Sequence, residues 1–422
     1  MTVAGLDDLL SPEGWPYAST PPVEPGDPGR FHALFGRDSL ICSLQVLPAR
    51  PDVARATLRA LAALQGREEH PGRLEEPGKI GHEFRPRAPE AFVATGWPEE
   101  AELRYYGTAD ATSWFLIVLA AAAAAGPAAG PDGGEPGAAT TAAAGPAAGP
   151  DGGEPGAATG GGLVAELEPA WRAAGGWLER ALERGGGLVR HAPGTWGALT
   201  QQGWRDAIDP VSQEGQGSGI LRPDGTQPPP PLADVDSQAA AHAALRALAR
   251  LSGDDRWEAL AAGLRARLAA LGPEVMAVEA DGRPVRGAGS QLGWLLWADA
   301  LEGEACEAAA ERLCAPDVLT GSGLRTLSSE SPVFAPGHYH RGSVWPFDSW
   351  LGWGGLRAAG RVREAERVRT GVLAALDRLG RAPELYAVGL GGEVEPIALS
   401  NRVQAWTVGA RWALEHRWDG RG

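Results

Sequence analysis

The stretch DSQAAAHAALRALARLSGDDRWEALAAGLRARLAALG, residues 236–272, carries the pattern that decides the fold. Apolar residues return every three or four positions along it, and Gly253 and Gly272 stand where its two halves end. That spacing predicts two consecutive amphipathic helices, each stopped by a glycine C-cap. The same pattern recurs along the chain, for example in PDVARATLRALAALQG at residues 51–66, and predicts about eleven helices.

No clear run of alternating β-branched residues separates these helices, so the sequence predicts an all-α array of helical pairs. Successive pairs are spaced irregularly, by about 50 to 70 residues, whereas solenoid repeats are shorter and more regular. A closed double ring of helices, a toroid, is therefore favoured over an open superhelix.

Composition limits the partners and the compartment. The chain of 422 residues is 44% hydrophobic, has a formal net charge of −15 and contains three cysteines with no CxxC pair. An acidic chain suits neither nucleic acid nor an anionic membrane surface, and a neutral carbohydrate is the better partner. The cysteines favour a reducing compartment, and no signal peptide is evident. The longest apolar run, Trp114 to Ala125, is shorter than the roughly 20 residues of a membrane span, so a cytoplasmic protein is expected.

A low-complexity segment interrupts the helical pattern at about residues 122–162. The sequence AAAGPAAGPDGGEPGAAT occurs at 123–140 and again at 142–159. Its Gly, Pro and Ala content cannot form a core, so a disordered loop is expected within a single domain that spans residues 1–422.

Six polar or aromatic clusters each precede an odd-numbered helix, when the predicted helices are counted from Asp38. The clusters are FGRDSL (35–40), RYYGTADATSWF (104–115), GWRDAIDP (203–210), LADVDSQ (232–238), YHRGSVWPFDSW (339–350) and PELYAVG (383–389) with NRVQAW (401–406). Alternate helices of an up-and-down array point the same way, so all six clusters are expected on one face. The helix N-termini on that face present free N–H groups and positive partial charge. The sequence therefore predicts one site at the mouth of a helical barrel.

The cluster GWRDAIDP combines carboxylates with an indole, as sugar-cleaving sites do. Asp206 is the candidate general acid and Asp209 its nearest competitor, while Trp204 could stack on the apolar face of a pyranose. Either carboxylate could equally be an N-cap or a loop residue. Glu384 is the candidate general base, although a Glu that follows Pro in a loop is usually only solvated.

The other polar residues fit hydroxyl recognition or helix capping. Arg37 donates and Asp38 accepts, so together they could hold one sugar edge, or form an N-cap with a surface ion pair. His82 and Glu83 lack the spacing of a metal site, and neither a phosphate-binding loop nor a GxSxG elbow occurs, so no metal and no cofactor are expected. The predicted substrate-binding residues are Arg37, Asp38, His82, Glu83, Tyr106, Asp110, Trp204, Arg205, Gln238, His340, Arg341, Trp345, Gln404 and Trp406.

Nine stretches, in this order, resemble the glucosidase domain of glycogen-debranching enzymes, the amylo-α-1,6-glucosidase family, which is similar in fold to glucoamylases. They are FGRDSL, GKIGHE, YYGTADAT, GWRDAID, SQLGWLLW, GLRTLSS, YHRGSVWP, PELY and QAW. The resemblance implies an (α/α)6 toroid, the six-hairpin glycosidase barrel, and inverting hydrolysis of a terminal α-glucoside. It implies that Asp206 is the general acid, that Glu384 activates water, and that Arg37 and Asp38 hold the terminal glucose.

Three departures from the family pattern bear on the substrate more than on the reaction, and one of them is the long, Pro-rich segment between Asp209 and Leu232. Phe35 comes too early for the N-terminal β-rich domain of related bacterial proteins, and Asp236-Ser237-Gln238 stands where Glu-Val-Gln is expected. The alternatives are a glycosidase acting on a small glucoside or mannoside, such as a glycosylglycerate or a disaccharide, and a non-catalytic sugar-binding barrel. No transferase domain is visible, so a bifunctional debranching enzyme is not expected.

Overall fold

The computed structural model describes residues 2–22, 31–99, 101–125, 160–207 and 219–421. A short 3₁₀-helix, Asp7–Leu9, lies near the start, and thirteen α-helices follow within these ranges. The helices are α1 (Gly36–Gln45), α2 (Pro51–Ala63), α3 (Glu90–Val93), α4 (Ala111–Ala124), α5 (Gly160–Glu166), α6 (Glu168–Arg184), α7 (Val235–Ser252), α8 (Arg256–Leu271), α9 (Gln291–Trp297), α10 (Gly303–Leu313), α11 (Pro346–Ala358), α12 (Val362–Leu379) and α13 (Ala405–Glu415).

Ten short strands form four small antiparallel sheets within the described ranges. The strands are β1 (Leu34–Phe35), β2 (Glu83–Arg85), β3 (Leu103–Tyr105), β4 (Ala233–Asp234), β5 (Val275–Val278), β6 (Pro284–Arg286), β7 (Leu319–Thr320), β8 (Gly323–Leu324), β9 (Tyr386–Val388) and β10 (Val394–Pro396). Their order in the sheets is β1-β2-β3, β4-β5-β6, β7-β8 and β10-β9. The sequence predicts none of them, because two to four residues are too few to show a period of two.

Six helices form a closed inner ring. In order, α1, α4, α7, α9, α11 and α13 each pack against the next, and α13 returns to α1. Helices α2, α6, α8, α10 and α12 pack outside this ring against the inner helix that precedes each of them. The chain thus has the (α/α)6 toroid that the sequence predicts, and the six inner helices are the odd-numbered helices of that prediction.

Inner and outer helices differ in how much of their surface is buried. Every residue of α1 and of α9 is buried, whereas the buried residues of α8 form one stripe: Trp257, Ala261, Leu264 and Leu268. An inner helix touches neighbours on both sides, an outer helix and the centre of the barrel, so its apolar residues need not follow a single stripe. The outer helix α8 thus keeps the single apolar stripe that is evident in the sequence, whereas α1 and α9 are buried on all sides.

Glycines allow α9 and α11 to approach closely. A Cβ atom on Gly293 would lie 2.6 Å from the Cα atom of Gly352, and one on Gly355 would lie 2.5 Å from the carbonyl oxygen of Gly293. Both contacts are to backbone, which cannot move aside as a side chain can. This part of the inner ring therefore requires residues without side chains.

Gly355→Ala is expected to lower the free energy of unfolding by about 1–3 kcal/mol, the usual cost of overpacking a core. The matched control is Gly263→Ala in α8, where an added Cβ meets nothing within 4 Å. That substitution should raise stability by up to about 1 kcal/mol, because alanine favours helix over glycine. Thermal melting of the two variants checks the opposite signs, and an equal shift in both would contradict the packing explanation.

The structure alters the predicted course of the chain between α4 and α6. In the stretch LVAELEPAWRAAGGWLERAL, residues 163–182, the apolar spacing predicts one helix, whereas the structure separates α5 and α6 at Leu167, directly before the Glu-Pro pair at 168–169. The edges of the loop predicted at about 122–162 are helical, since α4 extends to Ala124 and α5 starts at Gly160. Residues 126–159, which hold most of the duplicated sequence, lie outside the described residues.

Replacing residues 126–159 by a short Gly/Ser linker should leave kcat/KM within about twofold of the wild-type value. The reason is geometric: α4 begins at the face that carries the polar clusters, and its 14 residues end about 20 Å away at the opposite face. Kinetics together with melting curves test this expectation. If the variant folds but no longer hydrolyses substrate, the replaced segment contributes to the active site and the expectation is wrong.

Candidate active site

A buried arginine in the first turn of α1 joins two carboxyl groups from other parts of the chain. Arg37 donates from Nη1 to Oδ1 of Asp110 at 3.1 Å and from Nη2 to Oδ2 of Asp206 at 2.7 Å. Asp110 stands directly before α4 and also accepts from the Thr108 hydroxyl at 2.9 Å. The side chains of Arg37 and Asp110 are 2% and 0% exposed, so each needs the other to offset the loss of water.

Asp206 is the carboxyl of this group that stays open to solvent, with 26% of its side chain exposed. Burial raises the pKa of Asp206 to about 6; the Arg37 guanidinium opposes that rise and Asp110 adds to it. A carboxyl with this pKa holds a proton in mildly acidic solution. It is also exposed enough to pass that proton to a bound molecule.

The loop that carries Asp206 is tied down on both sides. Ala207 donates to the carbonyl of Gln201 at 3.2 Å, and the side chain of Gln201 exchanges two hydrogen bonds with the backbone of Ile220. The neighbouring Arg205 is 3% exposed and donates to three groups. Its acceptors are Asp236 Oδ2 at 3.2 Å, the Thr326 carbonyl at 2.8 Å and Ser290 Oγ at 2.8 Å. Arg205 therefore anchors the loop, with each of its three guanidinium nitrogens in a hydrogen bond to the protein.

The three tryptophans among the predicted substrate-binding residues, of which Trp204 was expected to stack on a sugar, are part of the core. Trp204 is 2% exposed and lies parallel to Trp294 at a ring distance of 5.9 Å. Trp345 is 1% exposed, and Trp406, at 4%, stacks on Phe347 at 4.0 Å. The flat faces of these indoles pack against other rings, so they support the floor of the site more than they cover its surface.

Glu384 lies between α12 and β9 and is 1% exposed. Its Oε1 accepts a hydrogen bond from the Tyr339 hydroxyl. Its Oε2 accepts from the backbone N–H of Asn401 at 3.1 Å and from Asn401 Nδ2 at 3.4 Å. Donors thus face both oxygens, which suits a carboxylate that acts as a proton acceptor.

A row of side chains connects the surroundings of Glu384 with those of Asp206. Asn401 Nδ2 donates to Oε1 of Gln404 at 3.0 Å, and Gln404 Nε2 donates to Oδ1 of Asp38 at 3.3 Å. Asp38 is next to Arg37 in the chain. Burial raises the pKa of Asp38 to about 7, against the effect of Arg37 and with that of Asp206. The first turn of α1 and the residues directly before α13 therefore share one polar wall.

His82 and Glu83 stand where β2 begins, beside Asp206. His82 Nε2 is 4.0 Å from Asp206 Oδ2, and burial together with Arg37 lowers the pKa of His82 well below its ordinary value. The imidazole of His82 is therefore uncharged near neutral pH. Glu83 pairs with Arg85, and burial raises its pKa.

His340 is buried at 2% exposure and stacks on Trp345 at 5.2 Å. Its Nδ1 accepts a hydrogen bond from the backbone N–H of Gly219 at 2.9 Å. Burial, helped by Arg205 and Arg37, lowers the pKa of His340 well below its ordinary value, so the ring is neutral. Because a backbone N–H can only donate, the proton of this neutral ring must be on Nε2.

Several predicted site residues are not brought into this group. The Tyr106 hydroxyl donates to the Leu64 carbonyl at 2.8 Å, at the end of α2. Gln238 exchanges two hydrogen bonds with the backbone of Val189, at 2.7 and 2.8 Å. For Arg341, which is half-buried, the main-chain carbonyl accepts from the Ala335 N–H at 2.7 Å in the turn before α11, and the contact of its side chain with substrate stays a prediction. Asp209 lies outside the described residues.

Two residues at the site are absent from the predicted set. Tyr339 opens the cluster YHRGSVWPFDSW and Asn401 opens NRVQAW, so both stretches are recognised while the individual residues are missed. Both are polar residues at the first position of a recognised cluster, and this position is the signal by which the sequence could have indicated them. Which side chain of a loop turns inward depends on the turn itself.

Within the described ranges, no three or more His, Cys, Asp or Glu side chains converge in a way that could hold a metal ion. Each helix in those ranges is too short or too polar to cross a membrane.

Residues 222–385 match the family model of the mannosylglycerate hydrolase MGH1-like glycoside hydrolase domain. The matched segment contains Glu384 and ends before Asn401, and Asp206 precedes it. No curated protein matches the chain.

Solved structures of glycosidases share the fold over nearly the whole chain. The GH63 mannosylglycerate hydrolase of Thermus thermophilus, in complex with Tris and D-glycerate, is 16% identical with a TM-score of 0.65 and covers 98% of each chain. The same enzyme in complex with glucose is 18% identical, with a TM-score of 0.64 and coverage of 98% of each chain. A further glycosidase is 12% identical with a TM-score of 0.58, over 99% of this chain and 95% of the other. These matches show the fold of six-hairpin glycosidases and do not single out the debranching type that the sequence motifs suggest.

Proposed function

We propose that this protein is a glycosidase of the six-hairpin fold that hydrolyses a small α-linked hexoside with inversion, with mannosylglycerate and glucosylglycerate as the first candidates. One observation carries the proposal. A carboxyl group with a raised pKa, Asp206, and a carboxylate surrounded by donors, Glu384, belong to a single polar wall at the mouth of the barrel. An acid and a base in such contrasting surroundings are what inverting hydrolysis needs.

In this mechanism Asp206 gives its proton to the glycosidic oxygen as the bond from C1 to that oxygen breaks. Glu384 takes a proton from a water molecule, whose oxygen forms the new bond to C1 from the opposite face of the ring. The products are the free hexose with inverted configuration at C1 and the released alcohol. Arg37 assists the first step, because its Nη2, 2.7 Å from Asp206, stabilises the carboxylate that remains after the proton has left.

Similarity favours a small glycoside over a glucan branch. The family model is named for mannosylglycerate hydrolase, and the related solved structures hold glycerate or glucose. The ordered motifs that resemble debranching enzymes are compatible with either substrate, since they describe the acid, the base and the pocket of the terminal sugar.

The test is a panel of mannosylglycerate, glucosylglycerate, isomaltose, panose and limit dextrin, with proton NMR to identify the anomer that is released first. We expect one glycosylglycerate to give a kcat/KM at least about 100-fold above that of isomaltose, with the β-hexose formed first, since inversion changes the configuration at C1. A preference for limit dextrin would support debranching instead. Binding of sugars without hydrolysis of any member of the panel would indicate a sugar-binding barrel.

A further inference from the structure

Asn401, a neighbour of Glu384 in space, holds one oxygen of its carboxylate. Asn401 donates to Oε2 from its backbone N–H at 3.1 Å and from its Nδ2 at 3.4 Å, and its carbonyl accepts from the Glu384 N–H at 3.0 Å. Asn401 is 1% exposed. Backbone and side chain of the two residues are thus fixed to each other in a place from which bulk water is excluded, where each hydrogen bond is stronger than in solution.

The neighbours of Asn401 determine which way its amide points. Its Nδ2 is 3.0 Å from Gln404 Oε1, and Gln404 Nε2 is 3.3 Å from Asp38 Oδ1. If the Asn401 amide were flipped, its carbonyl oxygen would face two acceptors, so the NH₂ group must lie toward Glu384 and Gln404. The two amides therefore connect the carboxyl groups of Glu384 and Asp38 while each offers a donor to its carboxyl.

We propose that Asn401 is a positioning residue for the general base, an inference that rests on the proposed function. Tyr339 holds Oε1 of Glu384 and Asn401 holds Oε2, so the plane of the carboxylate cannot rotate. The lone pair that must meet the attacking water is thereby aimed in advance. Loss of such alignment is costly, because the reaction depends on near-ideal approach of water to C1.

The position requires a donor without charge. Asn401 is the only asparagine of the chain, whereas Asp and Glu together number 53. Aspartate has nearly the shape of asparagine, but it would place a second carboxylate at the 3.4 Å where Nδ2 now donates. Like charges this close disfavour the ionised form that a base needs.

The test compares the wild type, Asn401→Asp and Asn401→Ala on the best substrate of the panel, by kcat and KM over a range of pH. For Asn401→Asp we expect kcat to fall about 10- to 100-fold and the acidic limb of the profile to move upward by about one pH unit, with KM within about threefold. Asn401→Ala, which keeps the backbone donor, should lose about 3- to 10-fold in kcat with a smaller displacement of that limb.

Gln65→Glu is the matched control. Gln65 lies outside the inner ring, and its side-chain amide donates to the carbonyls of Gly78 and Ala170 at 2.8 and 3.0 Å. As in Asn401→Asp, the substitution replaces an NH₂ group by a carboxylate oxygen. It should lower the melting temperature and leave the acidic limb in place. If Asn401→Asp does not fold, Asn401→Ala decides.

Folded Asn401 variants with the wild-type kcat and profile would overturn the inference while hydrolysis itself stands. A wild type that cleaves no member of the panel, or a Glu384→Gln variant with undiminished turnover, would overturn the proposed function and this inference with it.

Discussion

Asp206→Asn should lower kcat on a glycosylglycerate by roughly 10²–10⁴-fold, the usual contribution of a general acid. The amide keeps the size of the carboxyl but has no proton to give at this pH, so the leaving oxygen must depart as an alkoxide. Arg37 keeps its second partner, Asp110, so the fold should persist and substrate should still bind. Steady-state kinetics and calorimetric binding measure the two effects separately.

A glycosyl fluoride separates loss of the acid from loss of the site, because fluoride departs without a proton. We expect Asp206→Asn to hydrolyse it at a rate near that of the wild type. Asp209→Asn is the control within the same loop and should remain within about threefold of wild type on both substrates. The opposite pattern, with Asp209→Asn inactive and Asp206→Asn active, would transfer the acid role to Asp209.

The same residue gives a pH dependence with a definite sign. The acid acts only when protonated, and the pKa of Asp206 is raised to about 6 by burial. The value of kcat/KM should therefore decline as the pH rises through about 6, since that ratio reports the free enzyme. Stopped assays across pH 4–9 test this, and a plateau that extends beyond pH 8 would contradict the assignment.

Glu384→Gln is expected to lower kcat by a similar factor, about 10²–10⁴, for a different reason. The amide cannot take the proton of the attacking water. Its NH₂ group must face either the donors of Asn401 or the Tyr339 hydroxyl, which can accept but then loses the acceptor of its own proton, at a cost of about 1–3 kcal/mol. Kinetics should show the loss of turnover, and melting curves the loss of stability.

The glycosyl fluoride distinguishes the two carboxyl variants, because it needs no acid but still needs an activated water. Glu384→Gln should stay slow on the fluoride, whereas Asp206→Asn should recover. Glu395→Gln on β10, an exposed residue close in sequence, is the control and should match the wild type. Rapid fluoride hydrolysis by Glu384→Gln would show that another residue activates the water.

Local patterns are sufficient for the architecture. Gly253 ends α7 and Gly272 ends α8, as the sequence predicts, and the buried residues of α8 follow the apolar period of the sequence. Each polar cluster precedes an odd-numbered helix of the sequence prediction. Because alternate helices of a closed array must run in the same direction, this order predicts that all the clusters lie on one face of the barrel. The exceptions are features too short to have a period: the strands of two to four residues and the break at Leu167.

The sequence by itself therefore determines the class of fold, the mouth at which polar residues gather and the candidacy of Asp206 and Glu384. Only the tertiary structure decides which neighbouring side chains turn inward. It places Trp204 in the core, directs the Tyr106 hydroxyl to Leu64, and puts Asn401 on Glu384. The physical reason is that helix periodicity constrains whole elements, whereas the direction of a loop side chain depends on turn geometry and on partners remote in the chain. Gln404 and Asp38, 366 residues apart, meet only because the ring closes.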